Sequence, residues 1–229
     1  MRPRFKGHLS VADVVTATNA GLGFVAAAVA SLDVQLAARL ILLGAVLDAL
    51  DGLLARRYGG TATGEYLDSL ADVASFGVAP ALVVAIIARR QLALADPWLT
   101  VVTYAVPAAF VMMAVVRLGM YTAYDTGNAH TEGVQTTLAA TLLAAGLLAG
   151  LPPFVLVAAT ALFTALMVVR VQYPDLLARD AVLMGVIQAL AIFLPDAYGA
   201  VFPKVLLAAA VGYLVLAPRF YWRREGKRS

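Results

Sequence analysis

Apolar residues run through this chain in blocks much longer than strand alternation or the stripe of an amphipathic surface helix would produce. Eight such blocks lie near residues 15–32, 35–56, 66–88, 98–120, 134–150, 154–171, 181–195 and 199–217. Polar and charged residues collect between them. Most blocks approach the roughly 20 residues that carry a helix across a bilayer; the block near 181–195 is the shortest. The pattern predicts an all-α polytopic membrane protein of about eight transmembrane helices, with residues 1–229 forming a single integral membrane domain. Ser10-Val11-Ala12-Asp13 has the spacing of a capping box and predicts a short juxtamembrane helix ahead of the first span. Thr63 is placed to cap the third span, with Glu65 in its first turn. Gly77 and Pro80 predict that this span is loosened or kinked.

Composition sharpens the class. Across the 229 residues 62% are hydrophobic, and the mean hydropathy is +0.85, which excludes a soluble globular domain. The absence of cysteine removes disulfides and thiolate metal sites. A net charge of +3 raises the question of nucleic acid, but the cations sit beside apolar blocks and read as topology signals, so no nucleic-acid partner is expected. With an even number of spans both termini share one side. That side collects Arg2, Arg4, Lys6, Arg56, Arg57, Arg117, Arg170, Arg179 and the basic tail RFYWRREGKRS, whereas the other has only Arg89 and Arg90 in a loop, plus Arg39 and Lys204 near span ends. The positive-inside rule therefore places both termini at the cytoplasmic face of the cell membrane, with the tail held by aromatic and anionic-lipid contacts. The opening residues lack the apolar core and small-residue cleavage site of a signal peptide.

The candidate chemistry lies between Asp48 and Asp72. Asp48 and Asp51 are three apart and Asp68 and Asp72 four apart, so each pair occupies one helix face. A short polar loop separates the pairs, which predicts neighbouring antiparallel helices and four converging carboxylates. Such a group repels itself unless a cation sits within it, and hard oxygen ligands favour Mg²⁺, Mn²⁺ or Ca²⁺ over zinc. Helix capping accounts for one carboxylate per helix end, not for two per helix. On the residues alone, an intramembrane carboxylate cluster also suits a divalent-cation or proton transporter, although no acidic trail continues across the bilayer.

The run Asp48-x-x-Asp51-Gly52-x-x-Ala55-Arg56, followed by Gly64-x-x-x-Asp68-x-x-x-Asp72, resembles the signature of the CDP-alcohol phosphotransferases. That resemblance implies a six-helix core, here followed by two C-terminal spans, and a homodimer. It implies transfer of a phosphoalcohol group from a CDP-linked lipid donor to a hydroxyl acceptor with release of CMP. Two divalent ions, Mg²⁺ or Mn²⁺, would be held by Asp48, Asp51, Asp68 and Asp72, with Asp72 also taking the acceptor proton. Gly52, Ala55 and Gly64 would cradle the CMP moiety, and Arg56 would neutralise phosphate. The TNAGLGF run is similar to the first-helix pattern of phosphatidylserine synthases, which implies a donor-side role for Asn19.

Leu67-Asp68-Ser69-Leu70-Ala71-Asp72 with the following SFGVAP, and Arg117-Leu118, are also similar to that branch. Met120, Thr122 and the run GVQTT depart from its bacterial members, and TEGVQTT and YPDLLARDAVLMGV look more like the archaeal archaetidylserine synthases. L-Serine is then the implied acceptor. Its carboxylate needs a cation, for which Arg117 is the candidate, with Gln135, Thr136 and Thr137 as polar partners. Inositol phosphate and glycerol phosphate are the alternative acceptors within the family.

Overall fold

The computed structural model describes residues 9–92, 97–125, 130–174 and 178–220. The basic N-terminal residues, the YPDLL loop from Asp175 and the RFYWRREGKRS tail beyond Phe220 lie outside them. Of the described residues 82% are helical. In order the helices are α1 (Val11–Val29), α2 (Val34–Tyr58), α3 (Gly64–Asp72), α4 (Ala79–Leu92), α5 (Pro97–Met120), α6 (Thr136–Leu148), α7 (Pro153–Leu166), α8 (Ala178–Phe193) and α9 (Val201–Phe220). A π-helical segment, Val73–Val78, joins α3 to α4, and a second π turn, Tyr121–Asp125, follows α5. Counting α3, the π segment and α4 as one rod, the described residues form eight rods close to the eight apolar blocks.

Four of these rods are long and apolar enough to cross a membrane: Val11–Val29, Gly64–Leu92, Pro97–Tyr124 and Val201–Phe220. The eight-span expectation reaches further than this. Asp48, Asp51, Arg56 and Arg57 charge the second half of α2. Helices α6, α7 and α8 have 13, 14 and 16 residues, short of the roughly 20 that a bilayer core takes. The Ser10–Asp13 capping box is present, with Ser10 Oγ accepting from the Asp13 amide at 3.2 Å and Asp13 Oδ2 accepting from the Ser10 amide at 2.7 Å. It starts α1 itself, and no separate juxtamembrane helix precedes the span among the described residues. Thr63 occupies the N-cap position of α3 without a side-chain capping bond; its hydroxyl lies 3.2 Å from that of Thr61.

Helix α2 is central, packing against α1, α4, α6 and α8. Ala139, Ala140, Ala144 and Ala145 make α6 slim enough to be enclosed by α2, α4, α7 and α9. Large apolar side chains such as Phe24, Val115, Leu162 and Val186 are exposed around the perimeter. In water that surface would be costly; against lipid tails it is the favourable one.

Glycine permits two close approaches. A Cβ on Gly23 of α1 would stand 2.6–2.9 Å from Ser75 Oγ, Cα and N, so α1 lies directly on the π segment. Gly133 has φ +75°, and its amide donates to the Val171 carbonyl at 2.8 Å. That bond helps close an antiparallel ribbon of β1 (His130–Glu132) and β2 (Gln172–Pro174), which pairs Thr131 with Tyr173.

Candidate active site

The acidic pairs reach one cavity from different rods. Helix α2 meets the π segment and α4, while α1 packs on both α2 and α3. Carboxylate oxygens of Asp48, Asp68 and Asp72 lie within 4.8 Å of one another. The i, i+4 spacing of Asp68 and Asp72 along α3 puts both on the face turned to Asp48. The π segment begins at the residue after Asp72 and re-registers the rod, so that acidic α3 and apolar α4 can both present their functional faces inward. This is the form taken by the loosening expected from Gly77 and Pro80.

Asp51 is buried and lines the same cavity, but stands apart from the trio. Its Oδ2 accepts from Thr16 Oγ1 at 2.6 Å. Asp13, also buried, accepts from Thr61 Oγ1 at 3.0 Å through Oδ2 and 3.2 Å through Oδ1. A Cβ on Gly64 would lie 3.3 Å from Asp13 Oδ1, so the glycine opening α3 keeps the cavity wall thin there.

The cavity measures about 530 Å³. Its lining includes six carboxylates (Asp13, Asp48, Asp51, Glu65, Asp68 and Asp72) against two guanidiniums, Arg56 and Arg117. Gly52 and Ala55 form the α2 wall, and the Arg56 guanidinium lies across Gly52, 3.5 Å from where a Cβ would be. Arg57 instead stacks over Tyr58 at 5.7 Å.

Arg117 is buried at 7% exposure, although it is a guanidinium on an otherwise apolar helix. Its Nη2 donates to Thr131 Oγ1 at 3.1 Å and its Nη1 to Thr136 Oγ1 at 3.5 Å, with the Tyr121 ring 5.5 Å away. Gln135 and Thr137 line the cavity beside it. Thr136 does not line the cavity; it is fully buried behind Arg117 and orients it.

Asn19 is the other sequence candidate outside the cavity lining. It is 1% exposed, beside Gly44 on α2, and its backbone carbonyl accepts from Ser75 Oγ at 2.8 Å. Among the described residues its carboxamide has no hydrogen-bond partner. It stands at the junction of α1, α2 and the π segment.

The residues fit a hard divalent cation. Asp72 Oδ1 is buried without a hydrogen-bond donor among the described residues, a costly state for a carboxylate oxygen unless a cation faces it. Asp48, Asp68 and Asp72 offer the all-oxygen donor set that Mg²⁺ and Mn²⁺ take. Thr16, Thr61 and Thr131 were not singled out from the sequence, and Asp13 only as part of a capping box. For Asp13 and Thr16 the signal was a polar stripe, Asp13-Thr16-Asn19, at helical spacing on an apolar helix.

The family model for CDP-alcohol phosphatidyltransferase matches residues 9–171, from just ahead of α1 to the start of the ribbon's second strand. A comparison with curated proteins finds no match.

Proposed function

This chain belongs to the CDP-alcohol phosphatidyltransferase family, and we propose that it uses L-serine as the acceptor for the phosphatidyl or archaetidyl group of a CDP-linked lipid. Members of the family transfer a phosphatidyl group from a CDP-alcohol to an acceptor, are integral to membranes and generally depend on a divalent metal. The transporter reading gives way to that assignment.

The observation that carries the serine reading is Arg117, a buried cation held by Thr131 and Thr136 at the edge of a carboxylate-rich cavity. Its planar fork matches a carboxylate in two-point contact. Serine also brings an ammonium, which suits a lining with six carboxylates.

In the reaction the serine Oγ forms a bond to the lipid-linked phosphorus. The pyrophosphate P–O bond breaks, and CMP leaves with the electron pair. Asp72 takes the proton from the serine hydroxyl. Asp48, Asp68 and Asp72, with Asp51 beside them, would hold the metal ions, Mg²⁺ or Mn²⁺ and two in number. Bound there, a divalent cation supplies positive charge against the phosphate oxygens. Gly52 and Ala55 leave room for the CMP moiety along α2, and Arg56 and Gly64 border the same space. The buried position of Asn19 supports a role in placing the π segment ahead of its implied donor contact.

The positive-inside pattern supports a cytoplasm-facing site in the plasma membrane, where CDP-linked donors are available. The homodimer rests on the family resemblance.

The test offers purified protein a CDP-linked lipid, Mg²⁺ or Mn²⁺, and serine, inositol phosphate or glycerol phosphate in separate reactions. CMP release with serine alone supports the reading. Release only with a phosphorylated acceptor would make Arg117 a phosphate ligand and discard serine.

A further inference from the structure

A second, apolar cavity opens from the catalytic one. It measures about 680 Å³ and lies between α2, α6, α8 and α9. The two cavities share Asp48, Ala49, Gln135 and Thr137. One end of this combined space is therefore charged and the other greasy, with Asp48 at the junction. A molecule filling both has a polar head at the carboxylate cluster and hydrocarbon leading away from it.

The far walls of the groove come from α8 and α9, which lie beyond residue 171, where the family match ends. Both helices are fastened to the catalytic part of the fold. Gln188 Nε2 donates to the Leu42 carbonyl at 2.7 Å, and Arg39 Nε to the Ile192 carbonyl at 2.6 Å, joining α8 to α2. Tyr213 Oη donates to the Pro174 carbonyl at 2.7 Å, and Tyr173 Oη to the Leu214 carbonyl at 3.3 Å. These join α9 to the ribbon that carries Thr131, the partner of Arg117. The groove thus has fixed walls referenced to the reacting centre.

Two glycines, Gly185 and Gly212, stand in its wall. A Cβ added to Gly185 on α8 or Gly212 on α9 would meet nothing within 4 Å, so a larger side chain there extends into the groove and displaces no protein atom at its base.

We infer that α8 and α9 are the part of this protein that selects the donor lipid: its hydrocarbon chains lie in the groove, and Gly185 and Gly212 set the chain width accepted. The inference rests on the CDP-lipid reading of the polar cavity and adds where the chains run and what chooses among them. Chains with regular methyl branches need more width than straight ones, so the two glycines bear most heavily on branched donors.

Two measurements test this in wild type and in Gly185→Leu and Gly212→Leu. The first is the donor KM for CDP-linked lipids with straight oleoyl or branched phytanyl chains. Each leucine should raise KM by about tenfold or more, since it displaces several methylenes of chain, with the larger rise for phytanyl. Metal-dependent binding of CMP should be unchanged. The second is photolabelling of wild type in nanodiscs by a CDP-linked lipid bearing a chain diazirine. Adducts should map to α8 and α9 and be displaced by unlabelled CDP-lipid but not by CMP. An active enzyme with unchanged KM in both variants and no displaceable adducts overturns the inference and leaves the proposed function standing. Displaceable adducts on a protein that releases no CMP would uphold the groove and overturn the function. Absence of both adducts and turnover overturns the two together.

Discussion

Thr16 on α1 donates to Oδ2 of Asp51 on α2 at 2.6 Å, joining two residues 35 apart in the chain. Both groups are buried. The bond divides the acidic residues into a close trio, Asp48, Asp68 and Asp72, and a fourth carboxylate fixed from the first helix. Thr16→Val keeps the shape of the side chain and removes the donor. A hydrogen bond to a charged group contributes about 1.5–3 kcal/mol, so kcat/KM for CMP release should fall about 10- to 100-fold. Thr16→Ser should restore most of it, as read by steady-state kinetics. Equal activity in Thr16→Val would mean that Asp51 needs no anchoring.

Removing metal should cost stability as well as turnover. Three carboxylates with oxygens within 4.8 Å repel one another, and a cation bound among them stabilises only the folded state. At about 100 times its dissociation constant such a ligand adds about 2.7 kcal/mol. Mg²⁺ or Mn²⁺ should therefore raise the thermal midpoint of chelator-treated wild type in detergent. In Asp68→Asn and Asp72→Asn the increase should shrink or vanish. A metal-induced shift that persists undiminished in both variants would place the ion elsewhere.

The contact between α1 and the π segment predicts a contrast between two glycines on one helix. A methyl on Gly23 would meet Ser75 backbone atoms at 2.7 and 2.9 Å, whereas one on Gly21 meets nothing within 4 Å. Gly23→Ala should destabilise by about 1–3 kcal/mol and lower activity by displacing the segment that follows Asp72. Gly21→Ala should be close to neutral. Thermal melting of the two variants side by side decides it.

Arg117 should be more sensitive to geometry than to charge. Lysine keeps the charge but cannot reach Thr131 and Thr136 at once while presenting a fork to the acceptor. In Arg117→Lys the KM for serine should rise at least about tenfold, with the affinity for CMP little changed. An equal loss of CMP affinity would assign Arg117 to the donor.

Much of this was legible in the chain because membrane helices write themselves as long apolar blocks. The rods fall near the expected positions; of the four carboxylates expected to converge from the paired spacings, Asp48, Asp68 and Asp72 come together and Asp51 stands apart, held by Thr16. What periodicity cannot carry is the tertiary partner. Asn19 read as a donor contact because an isolated amide in an apolar helix needs a polar neighbour; it lies at the junction with the π segment, where its backbone carbonyl, not its carboxamide, accepts from Ser75. Thr63 fitted the sequence pattern of a cap, yet Thr61 and Asp13 make the hydrogen bonds that tie the loop to α1. The π segment could not be foreseen in kind, since Gly77 and Pro80 are equally compatible with a simple kink. Thr136, expected as a polar partner of the acceptor, accepts from Arg117 Nη1 and is not among the residues lining the cavity.

The central claim is that this carboxylate cluster drives phosphatidyl transfer to serine. The most direct measurement follows isotopically labelled L-serine into the lipid fraction, with CMP counted in the same reaction, for wild type and Asp68→Asn. The account predicts one labelled lipid per CMP in wild type, dependent on Mg²⁺ or Mn²⁺, and neither product above background in the variant. CMP release without serine incorporation, or incorporation that survives Asp68→Asn, would contradict it.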